Sequence, residues 1–156
     1  MADNIQGFIK ELAFEEALTH HLLDHGWNEV IKNPTEEQLV QNWADIIYDN
    51  NREIDKLGNY PLTASEMKQV MDQVNMKSSP YEMNRFINGK QVCIKRDNEA
   101  DTNNFDKEVY LKIFDPMEIS SGQSRYQIAR QPKFKTADSM LGDRRGDMML
   151  LINGMP

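Results

Sequence analysis

The residue in this sequence best placed to do chemistry is Asp147. It follows Gly146 and opens the run Met148-Met149-Leu150-Leu151-Ile152, which is apolar throughout. A carboxylate at the mouth of an apolar strand is held rigidly and partly desolvated, which suits a hard cation such as Mg²⁺ that takes oxygen ligands. An Asp after a Gly is also an ordinary turn residue. One carboxylate is not a site, so a second must come from nearby, and the strand returning from the next turn is the natural place. Arg144 and Arg145 stand just before Asp147, where they can contact phosphate or simply face solvent in a turn.

Three histidines, His20, His21 and His25, invite a zinc reading. His21 and His25 lie four apart on one helix face, but no His-Glu-x-x-His pattern and no third ligand accompanies them. Packing at the margin of a helical stripe is the better account. The one cysteine, Cys93, sits in an apolar strand pattern, so a buried free thiol is expected there.

The elements that must position these residues fall into two halves. In the first, Phe14, Ala17, Leu18 and Leu22 repeat at helical spacing until Gly26, and Glu15 lies at the edge of that stripe with Leu18 and Leu22. Thr35 with Gln38 makes a capping box ahead of Leu39, Trp43, Ile46 and Ile47. Thr63 with Glu66 opens a third helix carrying Met67, Val70, Met71 and Val74. Ser79 with Glu82, and Pro80 at the first helical position, opens a fourth that runs to Asn88-Gly89.

The second half changes period. Val92 and Ile94 alternate with polar neighbours, as do Val109, Leu111 and Ile113, and the acidic, Asn-containing stretch from Asp97 to Asp106 reads as a loop between them. Tyr126 to Phe134 is a third strand, with Pro132 marking an edge or bulge. Asp147 to Ile152 is a fourth, expected to be covered on both faces. The class is therefore α+β, N-terminal helices followed by a mixed sheet.

Asn153-Gly154 is a strong signal for a two-residue hairpin turn. The return strand would start at Met155, yet the sequence stops at Pro156, so the expectation is a fragment of a longer chain, residues 1–156 forming the N-terminal part of one domain. Composition is that of a soluble protein, 39% hydrophobic and 28% charged. No apolar run approaches membrane-spanning length and no signal peptide opens the sequence, so a cytoplasmic location is expected. The net charge of -7 argues against a free-standing DNA binder.

Several segments together carry a resemblance. Phe14-Glu15-Glu16-Ala17-Leu18, continuing through Leu22-Leu23 to His25-Gly26-Trp27, resembles the first helix of the N-terminal nuclease domain of type I restriction enzyme R subunits. Tyr110-Leu111-Lys112-Ile113-Phe114-Asp115-Pro116 and Tyr126-Gln127-Ile128-Ala129-Arg130-Gln131-Pro132-Lys133-Phe134 are similar to later strands of that family. Arg144 to Pro156 is similar to its catalytic strand and turn, and the segments occur in the same order. The resemblance implies a restriction-endonuclease-like fold with Asp147 as first catalytic carboxylate and Mg²⁺ ligand. It implies a Glu-x-Lys on the next strand and a later Gln/Tyr motif, both beyond Pro156, so the fragment alone would be inactive. Glu15 matches the first-helix glutamate that related nucleases often bring to the metal, though acidic residues near a helix start also serve the dipole. Arg130 and Gln131 match positions near the active site, where they join Arg144 and Arg145 as possible DNA contacts.

The resemblance further implies ATP-hydrolysing motor domains outside this chain, and modification and specificity subunits that supply DNA recognition. An acidic nuclease lobe would then not need to hold DNA by itself. The competing expectation is a non-catalytic module that keeps the fold and docks its helices onto a partner in a restriction or DNA-repair complex.

Overall fold

The computed structural model describes residues 2–53, 57–121, 124–136 and 144–156. Its elements are α1 (Ala2–Asp24), β1 (Glu29–Lys32), α2 (Glu36–Asn51), α3 (Ala64–Asn75), α4 (Pro80–Ile87), β2 (Val92–Lys95), β3 (Glu108–Leu111), α5 (Pro116–Ser121), β4 (Tyr126–Arg130), β5 (Lys133–Phe134), β6 (Arg144–Arg145) and β7 (Met148–Ile152). The class is α+β. The chain divides into two compact units, one formed by Met1–Leu39 with Arg125–Pro156 and the other by Val40–Ser124.

The contiguous unit follows its start signals closely. At α3 the Thr63 hydroxyl accepts from Glu66 N and the Glu66 carboxylate accepts from Thr63 N, and Ser79 with Glu82 repeats the arrangement at α4. The predicted stripes are buried at Trp43, Ile46, Ile47, Met67, Val70 and Val74. Strands β2 and β3 pair antiparallel, with Val92 opposite Leu111 and Ile94 opposite Val109, all four buried. Cys93 is free but only half-buried.

Amide side chains stand in for a missing strand along β2. Gln69 donates to the Lys95 carbonyl at 3.0 Å and accepts from Lys95 N at 2.8 Å. Gln73, one turn later on α3, does the same with Cys93. Asn51 exchanges two 2.8 Å bonds with the Lys112 backbone beyond β3. Backbone groups left open would be costly when buried, and these side chains satisfy them.

The discontinuous unit holds a three-stranded mixed sheet in the order β1-β4-β7. Strand β1 runs parallel to β4, Glu29 to Lys32 facing Gln127 to Arg130. Strand β7 is antiparallel to β4, Tyr126 facing Ile152 and Arg130 facing Met148. Strands β5 and β6 form a separate two-stranded ladder. The Asn153-Gly154 turn forms as expected, with φ of 52° and 83°, and Ile152 and Met155 exchange hydrogen bonds of 2.9 and 3.1 Å across it.

Four expectations need correction. The strand expected over 126–134 is broken at Gln131-Pro132, because Gln131 adopts φ 49° and the two pieces pair with different partners. Asp147 lies before β7, not within it, and is exposed. Strand β7 is not covered on both faces. It is an edge of the described sheet, only Leu151 is fully buried, and Leu150 is 40% exposed. On α1, which begins well before Phe14, the inward face is Glu15 and Thr19 with half-buried Leu12, Leu18 and Leu22, while Phe14 points to solvent at 68% exposure. The periodicity of Phe14 matched a helix but assigned it to the wrong face.

Candidate functional site

The corner where the strands change partners brings Glu15, Arg130, Gln131 and the Asp147 backbone together. Strands β4 and β7 pair as far as Arg130 and Met148, and β5 and β6 resume at Lys133 and Arg145. Between them Gln131-Pro132 faces Gly146-Asp147. Gln131 N donates to the Asp147 carbonyl at 2.9 Å, and Gly146 N donates to the Pro132 carbonyl at 2.9 Å. The approach at Gly146 is close, since a Cβ there would come within 3.3 Å of the Pro132 ring. The Asp147 carboxylate emerges from this corner into solvent.

Glu15 reaches the same corner from α1. Its side chain is 9% exposed and its Oε2 accepts from Gln131 Nε2 at 3.3 Å, with the Arg130 guanidinium 3.6 Å away. Thr19 Oγ1 donates to the Glu15 carbonyl at 2.7 Å one turn along the helix. Arg130 is closer to Glu16, donating at 2.8 Å, and this bond, with the charge behind it, holds the Glu16 carboxyl below the usual glutamate range. The Arg130 side chain is 16% exposed and lies between the two glutamates. Arg144 and Arg145, by contrast, are exposed on β6.

The predicted residues thus divide. Glu15, Arg130, Gln131 and the backbone of Asp147 form one connected cluster, and Arg144 and Arg145 flank it in sequence. The histidines stay apart from it as ligands. His25 Nδ1 lies 2.7 Å from the His21 carbonyl, the two rings are 4.2 Å apart, and His20 sits 3.6 Å from Glu16. Among the described residues no group of three or more His, Cys, Asp or Glu is arranged to hold a metal ion.

Carboxylates are the oxygen donors that Mg²⁺ takes alongside waters and substrate phosphate oxygens, and the structure brings the Glu15 carboxylate and the Asp147 backbone to this corner. Glu15 is a mostly buried carboxylate held by the Gln131 amide, with the Arg130 guanidinium 3.6 Å away. Sequence reasoning did not find the way Gln131 joins Glu15 to Asp147. A residue before proline is ordinarily extended, so nothing local signals the left-handed conformation that makes the junction.

A second polar cluster in this unit is structural in character. Arg125 donates to both oxygens of Glu29 at 3.0 and 2.8 Å, and Gln127 donates to Glu29 at 2.8 Å. It ties β1 to β4 and fixes their register.

Known proteins resemble this chain over most of its length. The chain is 32% identical over 147 residues to the endonuclease subunit of the type I restriction enzyme SsaAORF53P of Staphylococcus saprophyticus, an alignment covering 94% of this chain and 14% of that subunit. It is 29% identical over 146 residues to the endonuclease subunit of SauMSSORF170P from Staphylococcus aureus strain MSSA476, and 28% identical over 146 residues to that of SauMRSORF196P from strain MRSA252. Each of these alignments also covers 94% of this chain and 14% of the subunit. The chain is similar to type I restriction enzyme endonuclease subunits along nearly its whole length, and it spans about one seventh of theirs. No family model matches, and no solved structure matches. Among the described residues no helix is long and apolar enough to cross a membrane.

Proposed function

We propose that this chain is part of the nuclease domain of an ATP-dependent type I restriction enzyme, with a restriction-endonuclease-like fold and Mg²⁺ held by Asp147 and Glu15. The observation that carries the reading is the corner at Gln131, which joins the Glu15 carboxylate and the Asp147 backbone although Glu15 and Gln131 are 116 residues apart in sequence. When bound, Mg²⁺ supplies a Lewis acid for the phosphoryl oxygen and lowers the pKa of the attacking water. The chain's own residues orient that centre. Glu15 presents a carboxylate fixed by Gln131, and Arg144 and Arg145 offer exposed cations to the DNA backbone.

Motor domains elsewhere in the subunit would hydrolyse ATP and move the DNA, and modification and specificity subunits would recognise it. The net charge of -7 suits such a division of labour, because the grip on DNA then comes from other parts. On this reading these residues alone do not cut DNA, since the Glu-x-Lys that completes the family's site is not among them. A cytoplasmic location follows from the same reading.

The test is DNA cleavage by the assembled enzyme carrying Asp147→Ala or Glu15→Gln, with ATP hydrolysis measured in parallel. Loss of cleavage with ATP hydrolysis retained is the expected result. Full cleavage by Asp147→Ala overturns the assignment. That outcome would favour a non-catalytic docking module, for which the exposed Ile5, Phe8 and Ile9 on one face of α1 are the supporting observation.

A further inference from the structure

We infer that Lys133 and Arg145 form a two-cation clamp for a DNA phosphate on the β5–β6 ladder. The inference rests on the reading of this chain as part of a nuclease, and it adds Lys133 to the residues that hold the substrate.

The chain has a net charge of -7, yet residues 125–136 and 144–146 hold Arg125, Arg130, Lys133, Lys135, Arg144 and Arg145 and no aspartate or glutamate. Strand pairing lays the second of these segments against the first. Three of the cations are neutralised locally. Arg125 pairs with Glu29 at 2.8 Å, Arg130 with Glu16 at 2.8 Å and Lys135 with Glu37 at 2.6 Å. Among the described residues, Lys133, Arg144 and Arg145 make no ion pair.

Register decides which of the three act together. Lys133 stands directly opposite Arg145, and Phe134 opposite Arg144. Directly opposed residues share a face, and successive residues along a strand point to opposite faces. Lys133 and Arg145 therefore project together, whereas Arg144 shares the other face with Phe134. Like charges placed directly opposite are destabilising. A phosphate between them replaces that repulsion with two charge-assisted contacts.

The backbone beneath the pair is fixed. Lys133 N donates to the Pro34 carbonyl at 2.8 Å, and Lys133 also forms a parallel bridge with Thr35. Gly146 N, just beyond Arg145, donates to the Pro132 carbonyl at 2.9 Å. Arg145 is exposed and Lys133 half-buried, so neither is withdrawn from a ligand. Place favours DNA over other anions, because Asp147 follows two residues after Arg145. A phosphate on the clamp brings the DNA backbone to the proposed metal ligand.

The test measures binding of the full-length subunit to a labelled DNA duplex of unrelated sequence, by fluorescence anisotropy over a salt series with EDTA present. Each phosphate contact contributes about one unit to the slope of log affinity against log salt. Lys133→Gln and Arg145→Gln should each make that slope shallower by about one, and the double variant by about two. Arg144→Gln should change it less. The thermal midpoint should be unchanged or raised, since removing either charge relieves the repulsion. The charge-conserving pair Lys133→Arg with Arg145→Lys should keep the parental slope. A parental slope in the double Gln variant overturns the inference and leaves the ladder to an acidic protein surface. A slope lost equally in the charge-conserving pair overturns it too, as does an Arg144→Gln effect as large as that of Arg145→Gln. Asp147→Ala in the assembled enzyme separates the two levels. Loss of cleavage there, with a parental slope in the double Gln variant, defeats the clamp alone. Full cleavage by Asp147→Ala, with the shallower slopes, defeats the metal reading and leaves the clamp as a DNA-binding surface.

Discussion

Arg96 Nη1 meets Glu66 Oε2 at 2.7 Å, and neither side chain has any solvent-exposed surface. Arg96 also donates to the Tyr60 carbonyl at 2.7 Å and pairs with Asp101 at 3.4 Å. Glu66 accepts from Asp97 N at 2.8 Å while serving as the capping-box residue of α3. Removing one member of such a pair strands the other charge without water. Arg96→Met should therefore destabilise the protein by about 3–5 kcal/mol, read as a lowered urea midpoint in circular dichroism. A loss below about 1 kcal/mol, the scale of a surface pair, would show that the network is not desolvated in solution.

Gly146 offers a second prediction. A Cβ at this position meets Pro132 Cγ at 3.3 Å and Phe134 Cε2 at 3.8 Å, and the pyrrolidine ring has little freedom to move aside. Gly146→Val should cost about 1–3 kcal/mol through overpacking and displace the Asp147 backbone from Gln131. Thermal unfolding measures the first effect, and hydrogen exchange at the Gln131 amide measures the second. Unchanged protection of that amide would show that the corner tolerates the side chain.

Asp97 predicts an acid dependence of known sign. The Ser65 and Thr63 hydroxyls at the start of α3 bond its carboxylate and hold it below the usual aspartate range. The folded state therefore binds this proton less readily than the unfolded state. The stability it contributes is complete above the ordinary aspartate pKa and is lost as pH falls through the lowered folded value. Asp97→Asn should lower stability near neutral pH and flatten the acid limb of a stability-against-pH curve. An acid limb of unchanged slope would mean that the carboxylate is not held in this way.

The legible parts of this fold were those with local signals. Capping boxes at Thr35, Thr63 and Ser79 announced three helices, alternation marked Val92-Ile94 and Val109-Leu111, and Asn153-Gly154 marked its turn. Strand β1 escaped notice because Glu29 to Lys32 is four residues without periodicity, and only its distant pairing with Gln127 to Arg130 makes it a strand. The corner at Gln131 was not legible as an arrangement. Residue type and resemblance picked out Asp147, Glu15, Arg130 and Gln131, but how they meet depends on a left-handed glutamine and a break in pairing. Both are set by the tertiary arrangement, and Phe14 was misassigned for a related reason: helical spacing names the period without naming the inward face.

The division of the chain into a continuous and a discontinuous unit has a kinetic consequence. Val40–Ser124 lies between the two segments of the other unit, so pairing β1 with β4 joins residues such as Glu29 and Gln127, 98 apart. Closing a loop of that length from an open chain carries an entropic cost that grows with its logarithm. Prior folding of the intervening residues, whose contacts are closer in sequence, shortens the effective loop, so the intervening unit is expected to collapse first. The contact of Glu15 with Gln131, 116 residues apart, would then be among the last to form. A pulse-labelling exchange experiment should find the Val109 amide protected before that of Ala129. Substitutions that weaken the early unit, Arg96→Met among them, would slow assembly of the other unit.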